Sequence, residues 1–166
     1  MCIRDRCEAN FEEANLTGAY LFRAQLARAN LRLAQLEGTN LLEVKLSNHE
    51  QIGPRLSDVQ WGNTNLAVAD WSEVRLLDDE QQAHQSHEAG NQKDPMWRLA
   101  DFQRAVRANH QLAVLLQAQG LYEQAARFAY RAQIWQQRVF WLQMRERSGT
   151  FRPVSYTHLR AHETGR

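Results

Sequence analysis

Cysteine is almost missing from this chain of 166 residues: there are two, Cys2 and Cys7. They build no disulfide framework, a usage that suits a reducing compartment. A surplus of charge is missing too. The formal net charge is +1, which excludes a grossly acidic or basic protein. No apolar run comes near the roughly 20 residues of a membrane-spanning helix, and no signal peptide is visible. The patterns of catalysis are missing as well: no glycine-rich phosphate loop follows a strand, and no Cys/His or Ser/His arrangement can be argued. Glu12-Glu13 and Asp78-Asp79 are neighbours along the chain and read as solvated surface charge. His84 and His87 have ligand-like spacing, but two imidazoles without a third ligand do not specify zinc. The expectation is a protein that is not an enzyme, with no catalytic, metal or cofactor-binding residue and no cofactor.

The two ends share one DNA element. Met1-Cys2-Ile3-Arg4-Asp5 can be coded ATG TGT ATA AGA GAC, and the reverse complement of that string spells Val154-Ser155-Tyr156-Thr157-His158. Residues 1–6 and 154–166 therefore read as foreign, resembling translated sequencing-adapter DNA, and are set aside from fold reasoning. Residues 148–153 then read as a truncated tail, and the whole as a fragment of a longer protein.

What is present is a period of five. It runs Ala9-Asn10-Phe11, Ala14-Asn15-Leu16, Ala19-Tyr20-Leu21 and onward to Val44-Lys45-Leu46, then resumes from Val59-Gln60-Trp61 to Val74-Arg75-Leu76. A helix needs a period near 3.6 and a plain strand needs 2, so five fits neither. A fixed short period marks a solenoid. Side chains two apart on an extended segment point the same way, so Ala14 and Leu16 face inward while Asn15 and Thr17 face out.

This pattern of a small residue, Asn or Asp, then Leu and two polar positions resembles the pentapeptide-repeat family, over residues 9–78. The resemblance implies a right-handed quadrilateral β-helix with one pentapeptide per side and four per turn, placing residues twenty apart in ladders. Those ladders are Leu16–Leu36–Leu56–Leu76, Leu26–Leu46–Leu66, Leu21–Leu41–Trp61 and Phe11–Leu31–Gln51–Trp71. Gln51 does not belong in an apolar ladder, and Pro54 lacks a ladder donor, so residues 48–55 are expected to bulge outward or form a distorted coil. Trp61 and Trp71 are too bulky for a tight interior and are expected where the tube widens against a cap. An aspartate at position 36 should unfold the tract, whereas Arg32→Asp should matter little.

Residues 79–94 are polar and read as a hydrated linker with room for one short helix. Asp94-Pro95 opens a helix whose apolar stripe is Leu99, Phe102, Val106, Ala113 and Leu116, and Gln119-Gly120 ends it. A second helix carries Leu121, Ala125, Phe128, Ala132, Trp135, Val139 and Leu142 at alternating three and four. The short turn between them implies an antiparallel hairpin over residues 95–147. The expected fold class is thus a β solenoid, residues 7–78, followed by this α-helical hairpin. A second apolar edge, Tyr130, Ile134 and Trp141, either docks on the last coil or offers a partner surface. Nine arginines against three acids make residues 96–153 locally basic.

The expected function is a non-enzymatic scaffold for an unknown protein partner, cytoplasmic and without nucleic acid as a partner. Candidate partner-facing or capping residues are Trp61, Trp71, Tyr130, Ile134 and Trp141. An alternative comes from the whole layout, which resembles bacterial pentapeptide-repeat proteins in which such a cytosolic region precedes a two-span ion-channel pore. Under it the membrane link lies in a missing C-terminal region, and Arg145, Arg147 and Arg152 are juxtamembrane positives. A third reading, mimicry of DNA toward a topoisomerase, sits poorly with a tract of nine acids and six bases.

Overall fold

Each pentapeptide of the first tract ends in a corner closed by one backbone bond. Ala14 donates to the Phe11 carbonyl (3.1 Å), Ala19 to Leu16 (2.9 Å), Ala24 to Leu21 (2.9 Å) and Ala29 to Leu26 (3.0 Å). The third residue of each turn has positive φ, at Glu13, Gly18, Arg23 and Arg28, as a type II turn requires. The asparagine of the repeat sets up the corner: Asn10 accepts from the Glu12 N–H (3.1 Å), Asn15 from Thr17 (3.0 Å) and Asn40 from Leu42 (2.9 Å). These are Asx-turns. Four corners bring the chain back over its start. In this computed structural model, which describes residues 9–85, 87–88 and 91–149, Asn10 bridges Asn30, Asn15 bridges Gln35, Tyr20 bridges Asn40 and Gln25 bridges Lys45, all parallel. Each side contributes a single bridging residue, so the coil contains no longer β-strand among the described residues.

The inward positions are as the period predicts. Ala29 and Ala34 are 0% exposed and Leu31, Leu36 and Leu41 at most 2%. Phe11, Leu16 and Leu21 of the first turn are only half-buried.

Past Leu46 the expected ladders are wrong. Asn30 bridges Arg55 and Gln35 bridges Gln60, a spacing of twenty-five instead of twenty. Leu56 therefore follows Leu31, not Leu36, and Trp61 follows Leu36, not Leu41: the Leu31 N–H reaches the Arg55 carbonyl (3.1 Å) and the Leu36 N–H that of Gln60 (2.8 Å). The extra pentapeptide is a side loop. Asn48 holds it by accepting from the Glu50 and Ile52 N–H groups, both at 3.0 Å. Gln51 sits in it exposed, at φ +57°, because its amide has no partner inside. The outward bulge is confined to this loop: Ile52, Gly53 and Pro54 return to buried positions. Leu76 bridges Ile52 and is half-buried, while Leu77 fills the interior.

The expected hydrated linker is also corrected. Helix α1 (Asp78–His84) buries Asp78, Asp79, Glu80 and Ala83. A two-residue antiparallel pair follows, β1 (His87–Glu88) against β2 (Asn91–Gln92). Helix α2 (Pro95–Ala118) starts where the Asp94 carboxylate accepts the Met96 N–H (2.8 Å). It stops at Gly120, φ +82°, with the Gly120 N–H on the Gln117 carbonyl (3.1 Å) and the Leu121 N–H on Leu116 (2.9 Å). That is the Schellman ending. Helix α3 (Tyr122–Gly149) then runs back along α2: Leu116 clusters with Ala125 and Phe128, and Phe102 with Trp135 and Val139. The α3 stripe is as expected. The α2 face is rotated, with Ala105, Ala108, Asn109 and Leu112 buried and Leu99 and Val106 only half-buried.

Candidate functional site

The last turn of a coil carries backbone groups with no further turn to satisfy them, and buried ones must find partners elsewhere. Here the hairpin supplies them from side chains. Gln111 donates to the Val59 carbonyl (2.6 Å), and Gln119 both donates to Thr64 (2.9 Å) and accepts from the Leu66 N–H (2.7 Å). Arg127 reaches the carbonyls of Trp71 and Val74, both at 2.8 Å, and Arg131 that of Arg75. The arginines that make this half basic are thus partly committed to closing the coil. Polar residues at single helical positions gave no signal of this in the sequence; only the arginine excess hinted at it.

Trp61 and Trp71 lie inside this closure, 4% and 2% exposed. They meet edge to face with centroids 6.3 Å apart, and Trp71 meets Phe128 likewise at 6.1 Å. The Trp71 indole N–H satisfies the Leu66 carbonyl (2.9 Å). Both side chains are thus buried where the coil meets the hairpin, with almost no surface open to solvent.

Of the adjacent carboxylates read as surface charge, Glu12 and Glu13 are exposed, whereas Asp78 and Asp79 are core groups, as is Glu80 beside them. Asp78 pairs with Arg55 (2.5 Å) and faces Arg28 (3.8 Å). Glu80 accepts from the Trp135 indole (2.7 Å) and the Leu77 N–H (2.8 Å), with Arg131 at 3.7 Å. Asp79 accepts the Leu56 N–H at 2.6 Å. Burial pushes the Asp79 carboxyl up to about 6, against the opposing pull of the Leu56 amide, Arg32 and Arg55. The three acids form the first turn of α1, where the helix dipole favours negative charge. An acidic triplet just after the last apolar repeat position was the available signal. His84, at the other end of α1, is exposed and stacks edge-on against Trp135 (4.9 Å). Desolvation there lowers its pKa, helped by Arg138. Among the described residues no group of three or more His, Cys, Asp or Glu could hold a metal ion, and the His87 side chain lies outside them.

On the outside, Tyr130 and Trp141 are 65% and 62% exposed and Ile134 is half-buried. Spaced by four and seven, they share one face of α3, opposite the Phe128–Trp135–Val139 core face. This edge does not dock on the last coil, because the core face is the one that carries Phe128 and Arg131 onto it. Arg145 lies 5.7 Å from the Trp141 ring centroid, a cation–π distance, and Met144 and Phe140 are exposed beside it. Separately, a groove of about 820 Å³ runs between coil and α2, lined by Trp61, Val106, His110 and Val114 and bridged by the bidentate Arg107–Asp58 pair at 2.8 and 2.9 Å.

Residues 9–48 match the family model for pentapeptide repeats, in 8 copies. This chain is a repeat protein whose first turns are built of these units. The match ends where the side loop begins. Comparison with curated proteins and with solved structures finds no match. The segments read as foreign, 1–6 and 154–166, lie outside the described residues, as does most of the tail 148–153. Among the described residues no helix is long and apolar enough to cross a membrane.

Proposed function

We propose that the chain is a non-enzymatic scaffold for protein–protein interaction, cytoplasmic, with its coil a right-handed quadrilateral β-helix. The observation that carries the reading is the outer face of α3. Tyr130, Ile134 and Trp141 form an edge beside Arg145, on a helix whose opposite face is already committed to the coil at Phe128 and to α1 and α2 at Trp135 and Val139. Tyrosine, tryptophan and arginine are the residues most often found at the energetic centre of interfaces. The absence of catalysis is part of the same reading, since the acids closest together are taken up by Arg55, Arg131, Trp135 and the Leu56 amide. Affinity capture from a cell extract tests it. A partner should be retained by the wild-type chain and lost by the Tyr130→Ser/Trp141→Ser double variant at unchanged melting temperature; equal retention by both argues against this face.

A second reading, the cytosolic region of a pentapeptide-repeat ion channel, has one feature in its favour. Phe140, Trp141 and Met144 lie with Arg138 and Arg145 toward the end of α3, a mixture of aromatic and cationic residues suited to a membrane interface. The gene beyond Pro153 decides it: a stop codon soon after removes the channel.

A further inference from the structure

Three arginines meet between one wall of the coil and the first two helices. Arg32 and Arg55 come from successive turns of that wall, joined by the bridge from Asn30 to Arg55, and Arg104 comes from α2. With Asp79 and Gln82 of α1 and Asp101 of α2 they line a cavity of about 50 Å³. A water molecule needs roughly 10–15 Å³ of such space, so the cavity has the size of a few waters or of one small oxyanion. The three side chains are only 23–24% exposed. Yet among the described residues these guanidiniums give two hydrogen bonds, Arg55 to Asp78 (2.5 Å) and Arg104 to Asp101 (2.6 Å). Arg32 gives none: Glu12 stands 3.9 Å away, and the Arg32 Nε is buried without an acceptor. A guanidinium carries five N–H donors, and a buried donor left unmet is costly.

We propose that this cavity binds one tetrahedral oxyanion, phosphate or sulfate, held by Arg32, Arg55 and Arg104. The charge inside is in surplus. Asp101 is shared by Arg104 and Lys93 (3.0 Å), and Asp78 by Arg55 and Arg28 (3.8 Å). With Arg32, these cations outnumber the buried carboxylates Asp78, Asp79 and Asp101. Glu12 beside Arg32 and Glu50 beside Arg28 (4.0 Å) pair from the exposed side. Asp79 is no bar to an anion. Burial holds its pKa at about 6, so it takes up a proton readily and then donates where it would have repelled. Arginine forks suit the paired oxygens of phosphate or sulfate, and the Gln82 amide adds donors from α1. Because its ligands come from the coil, α1 and α2, the anion would tie the hairpin to the wall of the coil.

Calorimetric titration and thermal unfolding of the full chain at pH 6 test this, with inorganic phosphate up to about 20 millimolar and ionic strength held constant with chloride. Phosphate should bind at one site per chain and raise the melting temperature by about 3–6 °C, levelling off as the site fills. Arg32→Gln and Arg104→Gln should each weaken binding about tenfold, and Arg104→Lys, which keeps a charge beside Asp101, should weaken it less. Arg23→Gln removes the same charge from the Glu43 pair elsewhere on the coil and should leave binding unchanged. O-phosphoserine separates the two sources of the anion. Its exclusion assigns the cavity to the free ion, and binding that depends equally on Arg104 assigns it to a phosphate group on a larger molecule. No heat and no shift with phosphate overturns the proposal. So does a shift that never levels off and survives Arg104→Gln, which is the general action of such salts on a protein surface.

Discussion

Asp79 accepts the backbone N–H of Leu56 at 2.6 Å, which pins helix α1 to a coil turn through a carboxylate that is 3% exposed. Burial raises that carboxyl from its ordinary 3.8 to about 6. The folded chain therefore holds the Asp79 proton more tightly than the unfolded chain. The stability this group contributes is full below about pH 3.8 and is lost as pH rises through about 6, a swing on the order of 2–3 kcal/mol. His84 works the other way: its lowered pKa makes stability fall as pH drops below its ordinary 6.5. Urea unfolding at pH 5 and pH 7 in a His84→Gln background should show the chain more stable at pH 5. Adding Asp79→Asn should remove most of that difference; a pH dependence unchanged by Asp79→Asn would contradict the assignment.

Arg127 gives two strong bonds to carbonyls that have no other turn to bond to, those of Trp71 and Val74. Replacing it with methionine keeps most of the aliphatic stem, strands the Val74 carbonyl and leaves that of Trp71 only the Val74 N–H (3.3 Å), at a cost of about 1–3 kcal/mol. Arg127→Lys should recover only part of the loss, because Nη2 bonds the Trp71 and Val74 carbonyls while Nη1 reaches that of Ser72 (3.2 Å), and a single ammonium does not reproduce that planar set of three. Chemical denaturation of the three proteins, with no change in the slope, checks the order wild type, lysine, methionine.

Leu33 is a branched residue held at φ +58° in a corner, with its side chain 43% exposed. The left-handed backbone costs roughly 1–2 kcal/mol for such a residue, and its partly exposed side chain recovers little of that. Asparagine tolerates that conformation. Leu33→Asn is therefore expected to raise the melting temperature by about 2–6 °C. A fall in melting temperature would mean that Leu33 contributes packing the corner depends on.

The coil was legible because its rules are local. A small residue two places before a large one, with a corner between, is complete within five residues. The size of Trp61 and Trp71 likewise placed them under a cap. The side of the coil was not legible beyond Leu46. The ten residues from Leu46 to Leu56 are two whole pentapeptides whether both lie on the coil or one loops out, so the phase reads the same. The burial of Asp78–Glu80 was hidden by this slip, since Arg28, Arg32 and Arg55 come to one wall only in the shifted register. It also reverses the expectation for Arg32→Asp. Arg32 is part-buried and its charge favours the ionised Asp79, so an aspartate there would confront a buried carboxylate. The apolar edge of α3 was visible as a stripe. Which of two stripes docks is decided by Phe128 meeting Trp71, a contact between residues 57 apart.

The shifted register is itself testable through energetic coupling. Leu31 and Leu56 follow one another on one wall of the coil, joined by the bridge from Asn30 to Arg55, while Leu36 and Leu56, the pair expected from an uninterrupted twenty-residue turn, do not. Each leucine is at most 2% exposed, so each single change to alanine should cost about 2–4 kcal/mol. Neighbours couple and separated sites add. The Leu31→Ala/Leu56→Ala cycle should show an interaction of about 0.5–1.5 kcal/mol, and the Leu36→Ala/Leu56→Ala cycle should be smaller, near the level of experimental error. Stability curves for the five variants and the wild type are enough. Stronger coupling of Leu56 to Leu36 than to Leu31 would put the side loop back on the coil and restore the twenty-residue ladder.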